Sequence, residues 1–429
     1  MSTILIKNAQ VVTMNGQDQI LDHANILIDN NIIKKISAET INDKADKIID
    51  AKGKLVLPGF INAHTHAAMT LLRGYSDNQN LDKWLENIGP IEGKMQPEDV
   101  YWGTMLAITE MIKNGVTCFL DMYSHFGSIS QAIIDSGIRG VNSLALVDVN
   151  QADKVNLDDK LKTIVSWHGK GDRRLTTCFG PHAPYTCSGL LLRNISNLAR
   201  KNHLSIHIHL AETRKEVSDI KRKYQMSPVE LMVKYDFFSQ NQVIVAHGIW
   251  LGDRDMTIFK NNKVSVVTCP SSNLKLNAGI CPTHQLTNHG VNVALGTDGA
   301  ASNNSLDILA EAKLATLLAK YFSSDPAALG ANKALKMATI NGAKALGLAK
   351  EVGSIEVGKC ADLIIMDNSG PQYLPNHNLI ANIVYAGKSS DTETVIVNGK
   401  IVMENRKIIA FDEEKVKMEF NKRVKTLFK

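Results

Sequence analysis

Apolar runs alternate with stretches of helical periodicity through the middle of the chain. Eight of these runs predict strands, at residues 58–66, 116–123, 139–148, 175–184, 204–212, 243–251, 264–273 and 291–299. The stretches between them, such as 98–113, 188–201 and 253–261, have the spacing of amphipathic helices. Eight strands that alternate with helices predict an α/β fold, a (β/α)8 barrel of the TIM type.

Both ends of the chain carry a β pattern instead. Residues 3–14 and 24–36 are short β-rich runs, and residues 361–367 and 395–403 have the same character. Asn398-Gly399, between two apolar runs, is a strong hairpin signal. We therefore expect a small β-sandwich domain built from residues 1–57 and 351–429, beside a barrel domain of residues 58–350.

Composition excludes several classes of protein. Apolar residues make up 44% of the chain and charged residues 21%, which is typical of a globular protein rather than a disordered one. The 48 basic and 43 acidic residues leave a weak excess of +5, which predicts neither a nucleic-acid nor a membrane partner. The first residues, MSTILIKNAQ, do not resemble a signal peptide, and no apolar run is long enough to span a bilayer. The six cysteines form no C-x-x-C pair, which predicts reduced thiols in a cytoplasmic protein.

Several histidines lie at the C-terminal ends of predicted barrel strands, where the active sites of such barrels are found. His64 and His66 end the first strand, and residues i and i+2 of a strand face the same side, so both imidazoles can reach one point. His207 and His209 repeat this spacing on the fifth strand, with His209 nearer its end. His207 is open to three interpretations: a ligand, a partner that orients a ligand, or a packed core histidine. We favour the last two.

Three more predicted strands end in a histidine or an aspartate. His182 ends the fourth strand, His247 the sixth and Asp298 the eighth, and Glu212 follows His209 by three positions. Each has a structural explanation by itself; Asp298, for example, is a common residue type at a helix N-terminus. Since the chain has only 13 histidines, their concentration at these ends favours one mononuclear metal site. Imidazole and carboxylate ligands suit zinc, iron, manganese or cobalt.

Several segments together resemble the amidohydrolase superfamily. They are PGFINAHTHAAMTLLRG, HIHLAET, VAHG, CPSSNLKL, ALGTDGAASNN and, near the C-terminus, GSIEVGKCADLIIMD. The likeness is to the deaminase and chlorohydrolase branch, and within it to the 5'-methylthioadenosine/S-adenosylhomocysteine deaminases. It implies a hydrolase that deaminates a 5'-substituted adenosine, whether methylthioadenosine, 5'-deoxyadenosine, adenosine or S-adenosylhomocysteine, to the inosine analogue and ammonia.

The resemblance also implies a ligand set for one divalent ion, most readily zinc. The ligands are His64, His66, His209 and Asp298. Binuclear members of the superfamily carry a metal-bridging lysine on the fourth strand, where this chain has His182, so a single ion is expected.

Roles in the reaction follow from the same resemblance. Asp298 is expected to accept the proton of the attacking water as well as to bind the metal, and His247 to orient the resulting hydroxide. Glu212 is expected to exchange a proton with the purine nitrogen beside the carbon that is attacked. Such general acid–base steps typically contribute about 10²–10⁴-fold each.

Three positions bear on the substrate. By resemblance Glu92 accepts hydrogen bonds from the ribose hydroxyls, although the sequence alone favours a solvated loop acid. His182 corresponds to a purine or ribose contact, or it only caps its strand. Some relatives have an arginine near the third strand where this chain has Leu144, and a guanidinium there would suit a substrate carboxylate. That departure favours uncharged methylthio or 5'-deoxy nucleosides over S-adenosylhomocysteine.

Two other functions remain open at this point. The same branch contains chlorohydrolases and guanine or cytosine deaminases, which keep the scaffold and change the leaving group or the ring. Barrels of this kind also serve as binding proteins after losing ligands, but all four ligand positions are occupied here by ligating residue types. The expected partner is a small nucleoside, and the resemblance suggests a homo-oligomer.

Overall fold

The N-terminal segment forms five strands of a mixed sheet. They are β1 (Thr3–Val12), β2 (Ile20–Asp29), β3 (Ile32–Ser37), β4 (Lys47–Asp50) and β5 (Lys54–Pro58). The computed structural model describes residues 3–148 and 155–429. The run predicted at 24–36 is divided into β2 and β3 by a turn in which Asn30 has a φ of 55°, a left-handed conformation that asparagine tolerates.

Eight parallel strands follow in the middle of the chain. They are β6 (Phe60–Thr65), β7 (Val116–Tyr123), β8 (Arg139–Leu146), β9 (Leu175–Pro181), β10 (Ile206–Leu210), β11 (Val243–His247), β12 (Ser265–Thr268) and β13 (Asn292–Leu295). Each pairs with its neighbour in chain order, which makes one eight-stranded sheet. Every strand lies inside its predicted run, and most end earlier than predicted because the chain turns out of the sheet at the mouth of the barrel.

Helices connect and cover these strands. The first eight are α1 (Leu81–Glu92), α2 (Pro97–Lys113), α3 (Phe126–Ser136), α4 (Leu157–Trp167), α5 (Gly189–Lys201), α6 (Arg214–Tyr224), α7 (Pro228–Lys234) and α8 (Asp253–Asn261). The next six are α9 (Pro270–Lys275), α10 (Thr283–Asn288), α11 (Ala300–Asn303), α12 (Ile308–Ser323), α13 (Ala331–Met337) and α14 (Ile340–Ala345). Within the described residues, every helix is too short or too polar to cross a bilayer.

The C-terminal segment completes the mixed sheet. It supplies β14 (Leu363–Asp367), β15 (Thr392–Val397), β16 (Lys400–Glu404) and β17 (Lys407–Ile408), with the helices α15 (Leu379–Tyr385) and α16 (Glu413–Leu427). The order is β17-β16-β15-β14-β5-β1-β2-β3, with β4 also paired to β1, so the antiparallel contact of β14 with β5 joins the two ends of the chain. Asn398 and Gly399 form the predicted hairpin turn, with φ values of 50° and 73°.

This architecture confirms the predicted fold class: a barrel of eight parallel strands beside a sheet to which both termini contribute. The division at residues 57/58 and 350/351 into domains stays a prediction. Residues 1–2 of the first predicted domain and 149–154 of the second lie outside the described residues.

Polar contacts connect the first and last barrel strands. The Asp298 N–H donates to the His64 carbonyl oxygen at 3.0 Å, and the Thr297 N–H donates to Asn62 Oδ1 at 3.0 Å. In return, Asn62 Nδ2 donates to Thr297 Oγ1 at 2.7 Å. These bonds bring together the end of β6, which carries the predicted ligands His64 and His66, and the end of β13, which Asp298 follows.

Gly296 permits this close approach. A Cβ atom at this position would lie 2.8 Å from both Cβ and the carbonyl oxygen of His64, which is closer than real side chains come. A larger residue would therefore push β13 away from β6.

A buried ion pair joins the barrel to the terminal sheet. Arg139, the first residue of β8, donates from Nε to Asp362 Oδ2 at 2.7 Å and from Nη2 to Asp362 Oδ1 at 3.0 Å. The Asn398 N–H also donates to Asp362 Oδ1, at 2.8 Å. Arg139 is 1% exposed and Asp362 3%, so water cannot replace either partner.

We expect Asp362→Ala to lower the free energy of unfolding by about 3–5 kcal/mol, because it leaves the Arg139 guanidinium buried without its counter-charge. Urea unfolding of the purified protein measures the change. Lys400→Ala, which removes the exposed pair of Lys400 with Asp172, is the matched control and should cost no more than about 1 kcal/mol. Equal losses in the two variants would contradict a special role for the buried pair.

Candidate active site

A cavity of about 410 Å³ lies at the carboxyl ends of the barrel strands. This volume is within the range of ~300–1,000 Å³ usual for small-molecule sites. The structure brings all eight predicted site residues to this place. Seven line the cavity: His66, Glu92, His182, His209, Glu212, His247 and Asp298. The eighth, His64, is fully buried directly beneath them.

The four predicted ligands converge on one point. His66 Nε2 lies 3.3 Å from Asp298 Oδ1, and His64 Nε2 lies 3.5 Å from the same oxygen. His209 Nε2 is 3.3 Å from His66 Nε2. The donor atoms of His64, His66 and Asp298 all lie within 4.8 Å of one another, as do those of His64, His209 and His247. Three imidazole nitrogens and a carboxylate oxygen thus face a common centre.

The other ring nitrogen of each histidine is held by a partner on its far side. His66 Nδ1 donates to the Met122 carbonyl oxygen at 2.6 Å, and His209 Nδ1 donates to the His182 carbonyl oxygen at 2.8 Å. A carbonyl only accepts, so the proton must be on Nδ1 and the lone pair of Nε2 is directed to the centre. This arrangement is the usual support of metal-binding histidines.

His64 provides the test of whether a metal fits. Its Nε2 is buried and has no hydrogen-bond partner among the described residues. Burial lowers the pKa of His64 to about 3, so the ring is neutral and its lone pair is available. A buried, unsatisfied acceptor costs free energy unless something occupies the position it faces. The donor set of three neutral imidazoles and one carboxylate fits a divalent transition metal such as zinc.

His207 contacts a predicted ligand and does not face the centre. Its Nε2 lies 3.0 Å from His64 Nδ1, and the residue is fully buried. Burial keeps the pKa of His207 well below its ordinary value, so the ring is neutral, and its Nε2 accepts when His64 carries its proton on Nδ1. Of the interpretations left open by the sequence, this geometry matches the partner that orients a ligand.

Asp298 is held by three donors that sequence reasoning missed. Its Oδ2 accepts from Ser272 Oγ at 2.5 Å and from Ser302 Oγ at 2.9 Å, and its Oδ1 accepts from the Gly299 N–H at 2.8 Å. Burial disfavours the charge, but the imidazoles, His64 first, hold the pKa of Asp298 well below its usual range. Asp298 is therefore a carboxylate, as a ligand must be. Both serines lie in segments quoted above only for their resemblance to the family, CPSSNLKL and ALGTDGAASNN.

His247 is oriented by Asn273. Its Nδ1 lies 2.9 Å from Asn273 Oδ1, so it donates there, and its Nε2 lies 3.7 Å from Glu212 Oε1. Burial alone would lower the pKa of His247, but the neighbouring carboxylates of Glu212 and Asp298 raise it above the ordinary value. His247 has a left-handed φ of 70°, a conformation that a non-glycine residue adopts only at some cost. That turn directs its ring into the cavity.

Glu212 is presented by a turn that Glu216 holds. Ala211, just before it, has a φ of 55°, and the Glu216 carboxylate accepts the N–H of Ala211 at 2.9 Å and that of Glu212 at 2.8 Å. Burial raises the pKa of Glu212, and it raises that of Glu216 to about 7. The Thr213-x-x-Glu216 spacing resembles a helix capping box. This spacing is a sequence signal that indicates an ordered turn at this position.

Glu92 lies at the end of α1 and faces the cavity, so it is not a solvated loop acid. Tyr123, the last residue of β7, donates its hydroxyl hydrogen to Glu92 Oε1 at 2.5 Å. Burial raises the pKa of Glu92. Sequence reasoning missed Tyr123, because nothing in a buried strand marks which of its side chains will meet a helix from elsewhere.

The fourth and third strands form the remaining wall. The ring of His182 lines the cavity, with its Nδ1 3.0 Å from Thr186 Oγ1. Leu144 is buried in the main apolar core and is not among the cavity residues; Ala145 and Val147 line the cavity instead. Alternate residues of a strand face opposite sides, so the side chain at position 144 points away from the cavity. The expectation drawn from that position stays a prediction.

Comparison with known protein families gives one match that covers most of the chain. The model of the amidohydrolase family matches residues 55–402. This range includes all eight barrel strands and every residue of the site.

Curated relatives match over nearly full length. A 5-methylthioadenosine/S-adenosylhomocysteine deaminase of Pelotomaculum thermopropionicum is 44% identical, over 99% of this chain and 98% of its own. A 5'-deoxyadenosine deaminase of Methanosarcina acetivorans is 42% identical, over 97% and 96% respectively. Among solved structures, an adenosine deaminase from Xanthomonas campestris with bound zinc superposes with a TM-score of 0.94 at 32% identity, and the match covers 99% of this chain and 98% of that one.

Proposed function

The chain belongs to the amidohydrolase family, and on that premise we propose that it is a metal-dependent hydrolase that deaminates a 5'-substituted adenosine. The products are the inosine analogue and ammonia. The candidate substrates are methylthioadenosine, 5'-deoxyadenosine, adenosine and S-adenosylhomocysteine. The observation that carries the proposal is one cavity in which Glu212 and His247 lie beside the four converging side chains of the candidate metal site, and which Glu92 also lines.

In this proposal, His64, His66, His209 and Asp298 hold one divalent ion, and zinc is the ion that we propose. Such an ion supplies Lewis acidity, which lowers the pKa of a coordinated water towards ~7. The bound zinc of the Xanthomonas adenosine deaminase supports this identity, as does the set of nitrogen and oxygen donors.

Glu212 exchanges a proton with the purine ring nitrogen next to C6. It is buried in the cavity wall and its pKa is raised by burial, so it can carry a proton at neutral pH more readily than an exposed glutamate. Protonation of the ring nitrogen next to C6 draws electrons from that carbon and prepares it for addition. The same carboxyl group then helps the amino group to leave as ammonia.

His247 and Asp298 act on the attacking water. Asp298 is ionised and accepts the proton that the water loses. His247 Nδ1 donates to Asn273, so Nε2 donates as well only when the ring is protonated, a form that the raised pKa of His247 favours. In that form its Nε2–H can donate a hydrogen bond that orients the nucleophile towards C6. Its distance of 3.7 Å from Glu212 supports a role for both groups at the same edge of the purine.

Glu92 and His182 would bind the ribose. A carboxylate fixed by the Tyr123 hydroxyl still has an oxygen free to accept from vicinal hydroxyls. His182 presents its ring from the wall formed by β9. The alternatives, a chlorohydrolase or a guanine or cytosine deaminase, act on bare rings and would bring no hydroxyl to the second oxygen of Glu92, which supports a nucleoside.

The test is a substrate assay with the zinc-loaded protein. We expect ammonia release from methylthioadenosine or 5'-deoxyadenosine, together with the absorbance change from adenine to hypoxanthine chromophore. Guanine, cytosine and a chlorotriazine serve as the comparison substrates. Release of chloride from the triazine, or of ammonia from the free bases alone, would replace the proposal by its alternative. A protein that cannot take up metal would instead support a non-catalytic binding role.

Other properties belong to the proposal. We expect a small-molecule substrate and no nucleic-acid or membrane partner, and a homo-oligomer in solution. All six cysteines are free, which supports a cytoplasmic location.

A further inference from the structure

The two serines that hold Asp298 lie on two short helices. Ser272 is on α9, which has six residues, and Ser302 is on α11, which has four. Helices of this length have little stability of their own and keep their place through tertiary contacts. Both serines are buried, and each donates its hydroxyl hydrogen to Oδ2 of Asp298. Contacts from outside the two helices must therefore fix where these hydroxyl groups lie.

Glu311 connects these two helices. It lies in the first turn of α12, a helix of 16 residues, and it is 1% exposed. Its Oε2 accepts the N–H of Ser271 at 2.9 Å, and its Oε1 accepts a hydrogen from Asn303 Nδ2 at 2.9 Å. Ser271 directly precedes Ser272, and Asn303 directly follows Ser302. One carboxylate thus holds the neighbour of each serine.

The start of α9 depends on Glu311 for an acceptor. Cys269, the N-cap residue, makes no side-chain hydrogen bond to the helix, and Pro270 has no N–H to donate. The N–H of Ser271 is therefore the first that needs an acceptor, and the positive end of the helix dipole favours a carboxylate there.

Asn303 extends the contact to the end of β13. Its Nδ2 also donates to the Thr297 carbonyl oxygen at 2.7 Å, and Thr297 directly precedes Asp298. Because two donors face Glu311, the position needs two acceptor oxygens. A carboxylate supplies both, whereas a glutamine supplies one and directs an NH2 group at the other donor. This requirement explains why an acid is buried here in spite of its desolvation cost.

We propose that Glu311 is a positioning residue for the candidate metal ligand Asp298. Glu311 is not among the residues that line the cavity. It acts through Ser272 and Ser302, since it fixes their helices where both hydroxyl groups reach one oxygen of Asp298. The inference rests on the proposed function, in which Asp298 binds the metal and accepts the proton of the attacking water.

The first experiment measures zinc affinity by competition with a chromophoric chelator, without reference to turnover. Glu311→Gln keeps the size of the side chain and removes one of the two acceptors. We expect this variant to bind zinc about 10-fold more weakly, the lower end of the effect of replacing a residue that supports a ligand. Burial raises the pKa of Glu311 to about 7, so the comparison is made at about pH 8, where the wild-type group is a carboxylate.

The second experiment repeats this substitution in a chain that lacks both hydroxyl groups. In the Ser272→Ala/Ser302→Ala variant, Glu311 has no hydroxyl left to position. Glu311→Gln should therefore change zinc affinity by less than about 2-fold there, since effects within one hydrogen-bond network are not additive. A loss as large as in the wild-type background would show that Glu311 acts by another route and would overturn the inference. An unchanged zinc affinity of Glu311→Gln in the wild-type background would overturn it as well.

Asp307→Ala is the matched control for damage to α12. Asp307 is the N-cap residue of the same helix, and it accepts hydrogen bonds from the Ala310 N–H and the Ser389 hydroxyl group rather than from α9 or α11. Its loss should lower the thermal midpoint of unfolding and leave zinc affinity unchanged. A loss of zinc affinity as large as that of Glu311→Gln would assign the effect to a loosened helix and would overturn the inference.

Steady-state deamination with zinc in excess gives a second readout. In Glu311→Gln we expect kcat to fall about 10-fold and KM for methylthioadenosine to stay within about 2-fold of wild type, because the groups proposed to bind the ribose are untouched. A raised KM with unchanged kcat would contradict a role at Asp298. If circular dichroism shows that Glu311→Gln does not fold, Asn303→Ala, which removes one of the two donors from a half-buried position, takes its place with the same outcomes.

The wild-type chain separates this inference from the proposed function. A wild type that binds zinc and deaminates no adenosine would overturn the proposed function, while the zinc affinities would still decide whether Glu311 supports Asp298. A wild type that binds no zinc would overturn both.

Discussion

Glu212→Gln is expected to keep its metal and to lose about 10²–10⁴-fold in kcat. The amide has the same shape as the carboxylic acid, but it cannot exchange a proton with the purine ring nitrogen. The ligand side chains do not include Glu212, so metal content should stay stoichiometric. Steady-state ammonia release and elemental analysis of the same preparation measure both quantities.

The matched control for this variant is Glu86→Gln. Glu86 is on the same helix as Glu92, but its side chain is 66% exposed and pairs only with Lys83 on the surface. The same chemical change there should leave kcat and metal content unaltered. Normal turnover by Glu212→Gln would show that the proton is carried by another group, and His247, 3.7 Å away, would be the next to test.

His64→Ala is expected to lose metal and activity together. The substitution removes His64 Nε2, which has no hydrogen-bond partner among the described residues, and it also removes the contact of His64 Nδ1 with His207 Nε2. Since loss of a residue that merely supports a ligand typically costs 10–100-fold in metal affinity, loss of a ligand itself should cost more than about 100-fold. Competition with a chromophoric chelator measures this affinity without reference to turnover.

His377→Ala is the control for that experiment. His377 is exposed and lies after β14, far along the chain from the site residues. Its removal should change neither metal content nor activity. Stoichiometric, tightly held metal in His64→Ala would exclude His64 from the ligand set and would leave His247, whose nitrogen lies near those of His64 and His209, as the candidate to replace it.

The barrel could be predicted from the sequence because its signals are local. Each strand is a short apolar run, and each predicted run contains an observed strand. Strand order needed no separate inference, since neighbouring strands of such a barrel follow one another along the chain. The positions of His64, His66, His209 and Asp298 follow in turn, because residues at the carboxyl ends of parallel strands must gather at one mouth.

The ends of the strands were predicted less well. The runs at 243–251 and 291–299 suggested longer strands, but β11 ends at His247 and β13 ends at Leu295. His247 and Asp298 both take left-handed conformations. A non-glycine residue at positive φ has no reliable sequence signal, because surrounding contacts stabilise it rather than its own preference. In this site Asn273 holds His247, and two serines hold Asp298.

The sequence by itself determined the architecture, the types of ligand and the order in which they appear, since periodicity and strand alternation depend on neighbours along the chain. Only the tertiary structure decided which carbonyls hold His66 and His209, that Tyr123 fixes Glu92, that His207 supports His64, and that Ala145 and Val147 rather than Leu144 face the cavity. These pairs are up to 143 residues apart. Their contacts depend on how separate strands and helices are arranged around the mouth, and a shift of one residue on a strand reverses which side chain enters the cavity.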